Sequence, residues 1–157
     1  MAQTPNEIER GRYSYRSDPY VPAFADDKPV IIFDGECVLC SGFARFVLRH
    51  DRKRRYRLLA AQSTLGAALY RHYGLGDHDY ESNILLADGR VWLKSAGSIR
   101  MCEGLGFPWS LAAAARLLPP RMRDALYDLV ARNRFRWFGR RQTCFVPDPI
   151  HADRFLE

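Results

Sequence analysis

A chain of 157 residues with 47% hydrophobic and 13% aromatic content can bury one core and is too short to suggest two domains. Four cysteines, Cys37, Cys40, Cys102 and Cys144, exclude a disulfide-stapled secreted scaffold. The net charge of +6 is concentrated in two stretches: Arg49 to Arg57 sets six basic residues against Asp51, and Arg132 to Arg141 holds five arginines and no acid. The remainder is net acidic, which argues against nucleic acid as a partner. No apolar run nears the roughly 18 residues of a membrane span. The polar start, with Asn6, Glu7 and Glu9, lacks the secretory pattern, so a cytoplasmic location is expected.

Residues 1–27 contain Pro5, Pro19 and Pro22, and Tyr13, Tyr15, Tyr20 and Phe24 follow no helical or strand period. This predicts an extended or disordered tail, its aromatics free, on the domain surface or over the functional site. Val30-Ile31-Ile32-Phe33 is a β-branched and aromatic run that reads as a buried strand, and Asp34-Gly35 stops it. The period then changes. Leu39, Phe43, Phe46, Val47 and His50 recur at three- and four-residue steps, predicting a helix from about Cys37 to Arg49. Residues 56–60 read as a second strand, parallel to the first through a right-handed crossover.

A helix over 63–73 follows, capped at its end by Gly74. Ile84 to Ala87 and Arg90 to Leu93 flank Asp88-Gly89, the pattern of a type I′ hairpin. Ser95 is expected to cap a helix reaching Glu103, which Gly104 and Gly106 end. Helices over 109–118 and 121–138 are separated by Pro119-Pro120, and Met122, Leu126, Leu129 and Val130 form the apolar face of the second. The order β-α-β-α-β-β-α, with two additional C-terminal helices, is that of an α/β, thioredoxin-like fold.

Cys37 and Cys40 fall where a helix begins after a strand, and the first turn of a helix presents unpaired N–H groups and the positive end of the macrodipole. A thiolate is stabilised there, so Cys37 is expected as the attacking sulfur and Cys40, one turn deeper and better shielded, as the resolving one. Asp34 or Glu36 is expected to cap the helix or to carry protons for Cys40. The reaction needs no metal or organic cofactor; its partners are protein or small-molecule thiols and disulfides.

Asp34-Gly35-Glu36-Cys37-Val38-Leu39-Cys40 resembles the Asp-x-x-Cys-x-x-Cys signature of the DCC family, predicted thiol-disulfide oxidoreductases related to thioredoxin. The likeness continues through Leu59 to Gly66, Ser95-Ala96, Trp109, Leu118-Pro119, Arg123-Asp124, Tyr127 and Asn133-Arg134. It implies a thioredoxin-like DCC domain over 28–147, with tails at 1–27 and 148–157. It also implies a redox-active Cys37/Cys40 pair with Asp34 as the acidic member. One departure stands out. Thioredoxin-like proteins place a cis-proline before the third strand, whereas Tyr80-Glu81-Ser82-Asn83 holds none, so the usual recognition of substrate backbone is not expected.

Other readings compete. Phe33-Asp34-Gly35 after a strand also resembles the first motif of haloacid-dehalogenase-type phosphotransferases, but Glu36 stands where that motif has a second aspartate. A non-catalytic binding module with structural or metal-holding cysteines is the alternative of a different class, although Cys102 and Cys144 are single and read as small buried hydrophobes. In the segment from Arg132 to Arg141, Phe135, Trp137 and Phe138 are expected to enter the core while the arginines snorkel to water; bases, lipid or a protein partner are the other possibilities.

Overall fold

The computed structural model describes residue 8 and residues 10–75 and 83–156. The strands are β1 (Val30–Phe33), β2 (Arg57–Ala60), β3 (Ile84–Ala87) and β4 (Arg90–Leu93), and the α-helices are α1 (Val38–His50), α2 (Thr64–His72), α3 (Lys94–Gly104) and α4 (Pro120–Phe138). They form a mixed sheet of order β2-β1-β3-β4, with β1 and β2 parallel and β3 antiparallel to both β1 and β4. The element order and the parallel β1–β2 pair are those that the periodicity predicts, and the sheet with its helices is a thioredoxin-like α/β fold.

Alternation along β1 divides the core. Val30 and Ile32 pack with Leu59, Leu65, Leu69 and Tyr70 on the α2 side. Ile31 meets Val47 of α1 and Met101 of α3 on the other, and Phe33 packs with Ala44, Leu48 and Phe145. Asp88 and Gly89 both take positive φ, 52° and 73°, as a type I′ turn requires.

Several expectations are corrected. Ser95 does not cap α3: the cap residue is Leu93, and the Ser95 hydroxyl donates instead to Asp124 of α4. The helix expected over 109–118 is a 3-10 segment, Trp109–Leu117, boxed between prolines and carrying i→i+3 bonds such as Leu118 N–H to Ala115 O. The N-terminal segment is not a loose leader where it is described. Tyr15, in a 3-10 turn at Ser14–Ser17, is buried in the core and donates to Asp26, while Phe24 packs beside it. The C-terminal residues dock as well. Arg154 is buried against Asp51, and Leu156 N–H donates to Leu58 O on the β2 edge.

The apolar face predicted on α4 points outward, because polar partners take the inward face: Asp124 goes to Ser95, Asp128 to Lys94 and Arg134 to Asp34. Leu126, Leu129 and Trp137 are 54%, 52% and 53% exposed. The aromatics expected in the core at Trp137 and Phe138 therefore lie outside it, and the arginine at 134 lies within.

Candidate active site

β1 delivers the chain to a tight turn at 34–37, closed by the Cys37 N–H to Asp34 O bond, and α1 starts from it. The cap of α1 is Cys37 itself, whose Sγ accepts the backbone N–H of Cys40 at 3.2 Å. Neither Asp34 nor Glu36 caps the helix. Sulfur at this position receives a main-chain donor and the field of the helix end together.

The Cys37 thiol is pulled down to about 7, first by the hydrogen bond from the Cys40 thiol and then, against the penalty of burial, by the Cys40 backbone N–H. Cys40 is pushed up by the same shared hydrogen bond and by burial. One proton held between two sulfurs belongs to the pair, and the main-chain donor adds to the pull on Cys37.

Asp34 lies buried beside them. Its Oδ1 accepts the Glu36 N–H at 2.9 Å and the Gln62 amide at 2.6 Å, and its Oδ2 faces the Arg134 guanidinium at 3.4 Å. Arg134 lowers and Asp34 raises the proton affinity of both sulfurs. The Gln62 side chain also accepts the Gly35 N–H at 2.9 Å, which fixes the turn from both sides. Glu36 pairs on the surface with Arg140.

Both cysteines are buried, Cys37 at 0% exposed and Cys40 at 8%. Cys37 is covered by the segment after α4, which runs antiparallel over the turn. Cys37 and Arg140 form a β-bridge, Val38 N–H donates to Gly139 O, Arg141 N–H to Glu36 O and Phe145 N–H to Gly35 O. Cys40 instead forms a wall of a largely apolar cavity of about 270 Å³ with Leu39, Phe43, Asn83, Tyr127 and Arg134. The Tyr127 hydroxyl accepts the Asn83 N–H at 3.1 Å, and burial pushes its pKa up to about 12. A larger hollow of about 470 Å³, lined by Arg12, Arg55, Arg90 and Arg100, contains no predicted site residue.

The structure thus brings Asp34, Cys37 and Cys40 together and leaves Cys102 half-buried on α3 and Cys144 exposed on the covering segment, neither a fully buried hydrophobe. Of the segment without the usual proline, Tyr80, Glu81 and Ser82 lie outside the described residues. Among the described residues no group of three or more His, Cys, Asp or Glu side chains gathers to hold a metal.

Sequence reasoning assigned no role to Arg134, Gln62 or Tyr127. All three lie in the stretches that carry the family resemblance, Leu59 to Gly66, Tyr127 and Asn133-Arg134. The parallel register of Phe33 with Ala60 brings the ends of β1 and β2 together, which places Gln62 beside the turn. Arg134 shares the inward arc of α4 with Tyr127 and Ala131, seven and three residues earlier.

The family model for DCC1-like thiol-disulfide oxidoreductases matches residues 31–140, the stretch from β1 through the bridge at Arg140. The chain belongs to the DCC1-like family. It is 34% identical over 127 residues to the Bacillus subtilis protein named "Uncharacterized protein YuxK", covering 81% of this chain and 93% of that one. It is 37% identical over 120 residues to the Arabidopsis thaliana "DCC family protein At1g52590, chloroplastic", covering 76% of this chain and 70% of that protein. No solved structure matches. The family's match spans Asp34, both motif cysteines, Tyr127 and Arg134, so the residues gathered at the turn lie within it.

Proposed function

We propose that this protein is a thiol-disulfide oxidoreductase that cycles Cys37 and Cys40 between dithiol and disulfide. The observation that carries this reading is the Cys37 sulfur at the helix cap, holding the Cys40 N–H at 3.2 Å and drawn down to about 7. In the reductive direction the Cys37 thiolate attacks one sulfur of a substrate disulfide. That S–S bond breaks and the departing thiolate takes up a proton. Cys40 then loses its proton, with Asp34 as acceptor, and attacks Cys37 sulfur in the mixed disulfide; the second substrate thiolate leaves, and the Cys37–Cys40 bond holds the two electrons' worth of oxidation. A reducing dithiol returns the pair to its starting state. Attack by Cys37 requires residues 139–144 to lift from the turn.

The substrates of this reading are protein or small-molecule disulfides. On this reading the protein works in a reducing compartment, the cytoplasm, in keeping with four unevenly spaced cysteines. No helix among the described residues is long and apolar enough to cross a membrane. The Arabidopsis relative's name places that protein in the chloroplast.

Trapping tests the roles. Cys40→Ser should accumulate mixed disulfides through Cys37, and Cys37→Ser should not. Trapping by Cys37→Ser alone would exchange the roles, making Cys40, at the cavity, the attacking sulfur. Absence of any redox couple in a glutathione titration, with stoichiometric zinc in protein purified under reducing conditions, would replace the enzyme by a metal-holding binding module.

A further inference from the structure

We infer that α4 is an in-plane docking helix for an anionic bilayer surface. The 19 residues of Pro120–Phe138 divide into three arcs at about 100° per residue. One arc, with Asp124, Tyr127, Asp128 and Arg134, is held by the domain through the contacts described above. A second arc of about 100° carries Met122, Leu126, Leu129, Val130 and Trp137, all exposed. Its polar member, Asn133, turns its amide back onto the Leu129 carbonyl at 2.7 Å. A third arc, beside the apolar one, carries exposed Arg121, Arg132 and Arg136 and no acid, since both acids of α4 lie on the inward arc.

Exposed apolar side chains in a continuous stripe mark an interaction surface, and the charge beside the stripe selects the partner. An apolar stripe with a tryptophan, flanked towards both ends by arginines, is the pattern of a helix lying in the headgroup region, with guanidiniums on phosphates and aliphatic groups in the acyl boundary. A second copy of the chain fits less well. Antiparallel pairing, stripe on stripe, would bring the two arginine columns to the same edge, where like charges repel. Val130 belongs both to the stripe and to the wall of the Cys40 cavity, so the bound face is the one onto which the cavity opens.

Flotation of the full chain with lipid vesicles tests this. The wild type should float with vesicles of phosphatidylcholine containing about one quarter phosphatidylglycerol, and at least roughly tenfold less with phosphatidylcholine alone or in about 0.5 M salt. Leu126→Glu with Leu129→Glu, and separately Arg132→Glu with Arg136→Glu, should each lower partitioning at least roughly tenfold. The Leu pair should leave the melting temperature and the alkylation profile of Cys37 unchanged, because both side chains face solvent. Wild type that stays with the soluble fraction at about 1 mM lipid overturns the proposal, as does a Leu126→Glu, Leu129→Glu chain that floats as well as wild type. A wild-type dimer that these glutamates dissolve, without flotation, would assign the stripe to a second copy instead.

Discussion

Removing the Arg134 guanidinium would leave the Asp34 carboxylate buried with only neutral partners, next to two sulfurs whose charge it opposes. Arg134→Gln should therefore raise the midpoint of Cys37 alkylation from about 7 toward the free-thiol value of about 8.5. It should also lower stability by about 3–5 kcal/mol, the usual consequence of stranding one member of a buried ion pair. Asp34→Asn should move the midpoint the other way, below 7, because the charge that raises both thiols is gone. The double variant should regain much of the lost stability. Iodoacetamide rates against pH, with denaturant melts, check all three; single variants that shift the midpoint in the same direction would refute the electrostatic account. At this scale the cysteines and Asp34 were legible, because their chemistry is local: a strand, a turn and a helix start lie within a dozen residues. The pairing of Arg134 with Asp34 was not, because the two lie 100 residues apart in the chain and only the packing of α4 against the turn joins them.

Strand and helix positions were the most legible layer, since the unbroken apolar run of β1 and the Asp88-Gly89 turn are written in neighbouring residues. Which face of α4 enters the core was not. A stripe of apolar residues predicts burial, yet the inward face is chosen by polar partners that lie elsewhere in the chain, Ser95, Lys94 and Asp34. The covering segment was illegible for a related reason: much of its hold on the turn is main-chain hydrogen bonding, which leaves little mark in the sequence. Gly139 is its hinge. With φ 90° and ψ 172° it occupies a conformation that L side chains rarely adopt, and this geometry turns the chain from α4 back over Cys37. Gly139→Ala should cost about 1–3 kcal/mol of local strain. That strain is relieved by releasing residues 139–144, so Cys37 should react faster, above all with a bulky maleimide that the wild type excludes. Unchanged ratios of maleimide to iodoacetamide rates would mean that the segment does not control access.

The described residues of both terminal segments pack against the sheet domain. Tyr15 enters the core from the N-terminal segment, while Arg154 from the last turn meets Asp51, whose carboxylate also accepts the N–H groups of Arg55 and Tyr56 ahead of β2. A sequence reading treats such ends as tails because they have no period of their own; their burial is imposed by surfaces built elsewhere. This spread makes the alkaline limb of stability a test of the whole molecule. Burial raises the phenols of Tyr15, Tyr56 and Tyr127, the last two to about 12, and these sit on the N-terminal segment, ahead of β2 and on α4. Each keeps its proton in the folded state at a pH where the unfolded chain, with phenols near 10, has lost it. The native state then binds more protons than the unfolded one, so stability is fully present below about pH 10 and falls as the pH rises toward 12. Denaturant melts across that range should show one transition, by tyrosine absorbance and by circular dichroism alike, moving steadily to lower denaturant. Tyr56→Phe should flatten the slope, since its hydroxyl hydrogen bonds to the Arg100 and Met101 carbonyls are lost along with the titrating group. Two separated transitions, with Tyr15 released first, would show that the N-terminal segment unfolds on its own and only leans on the core.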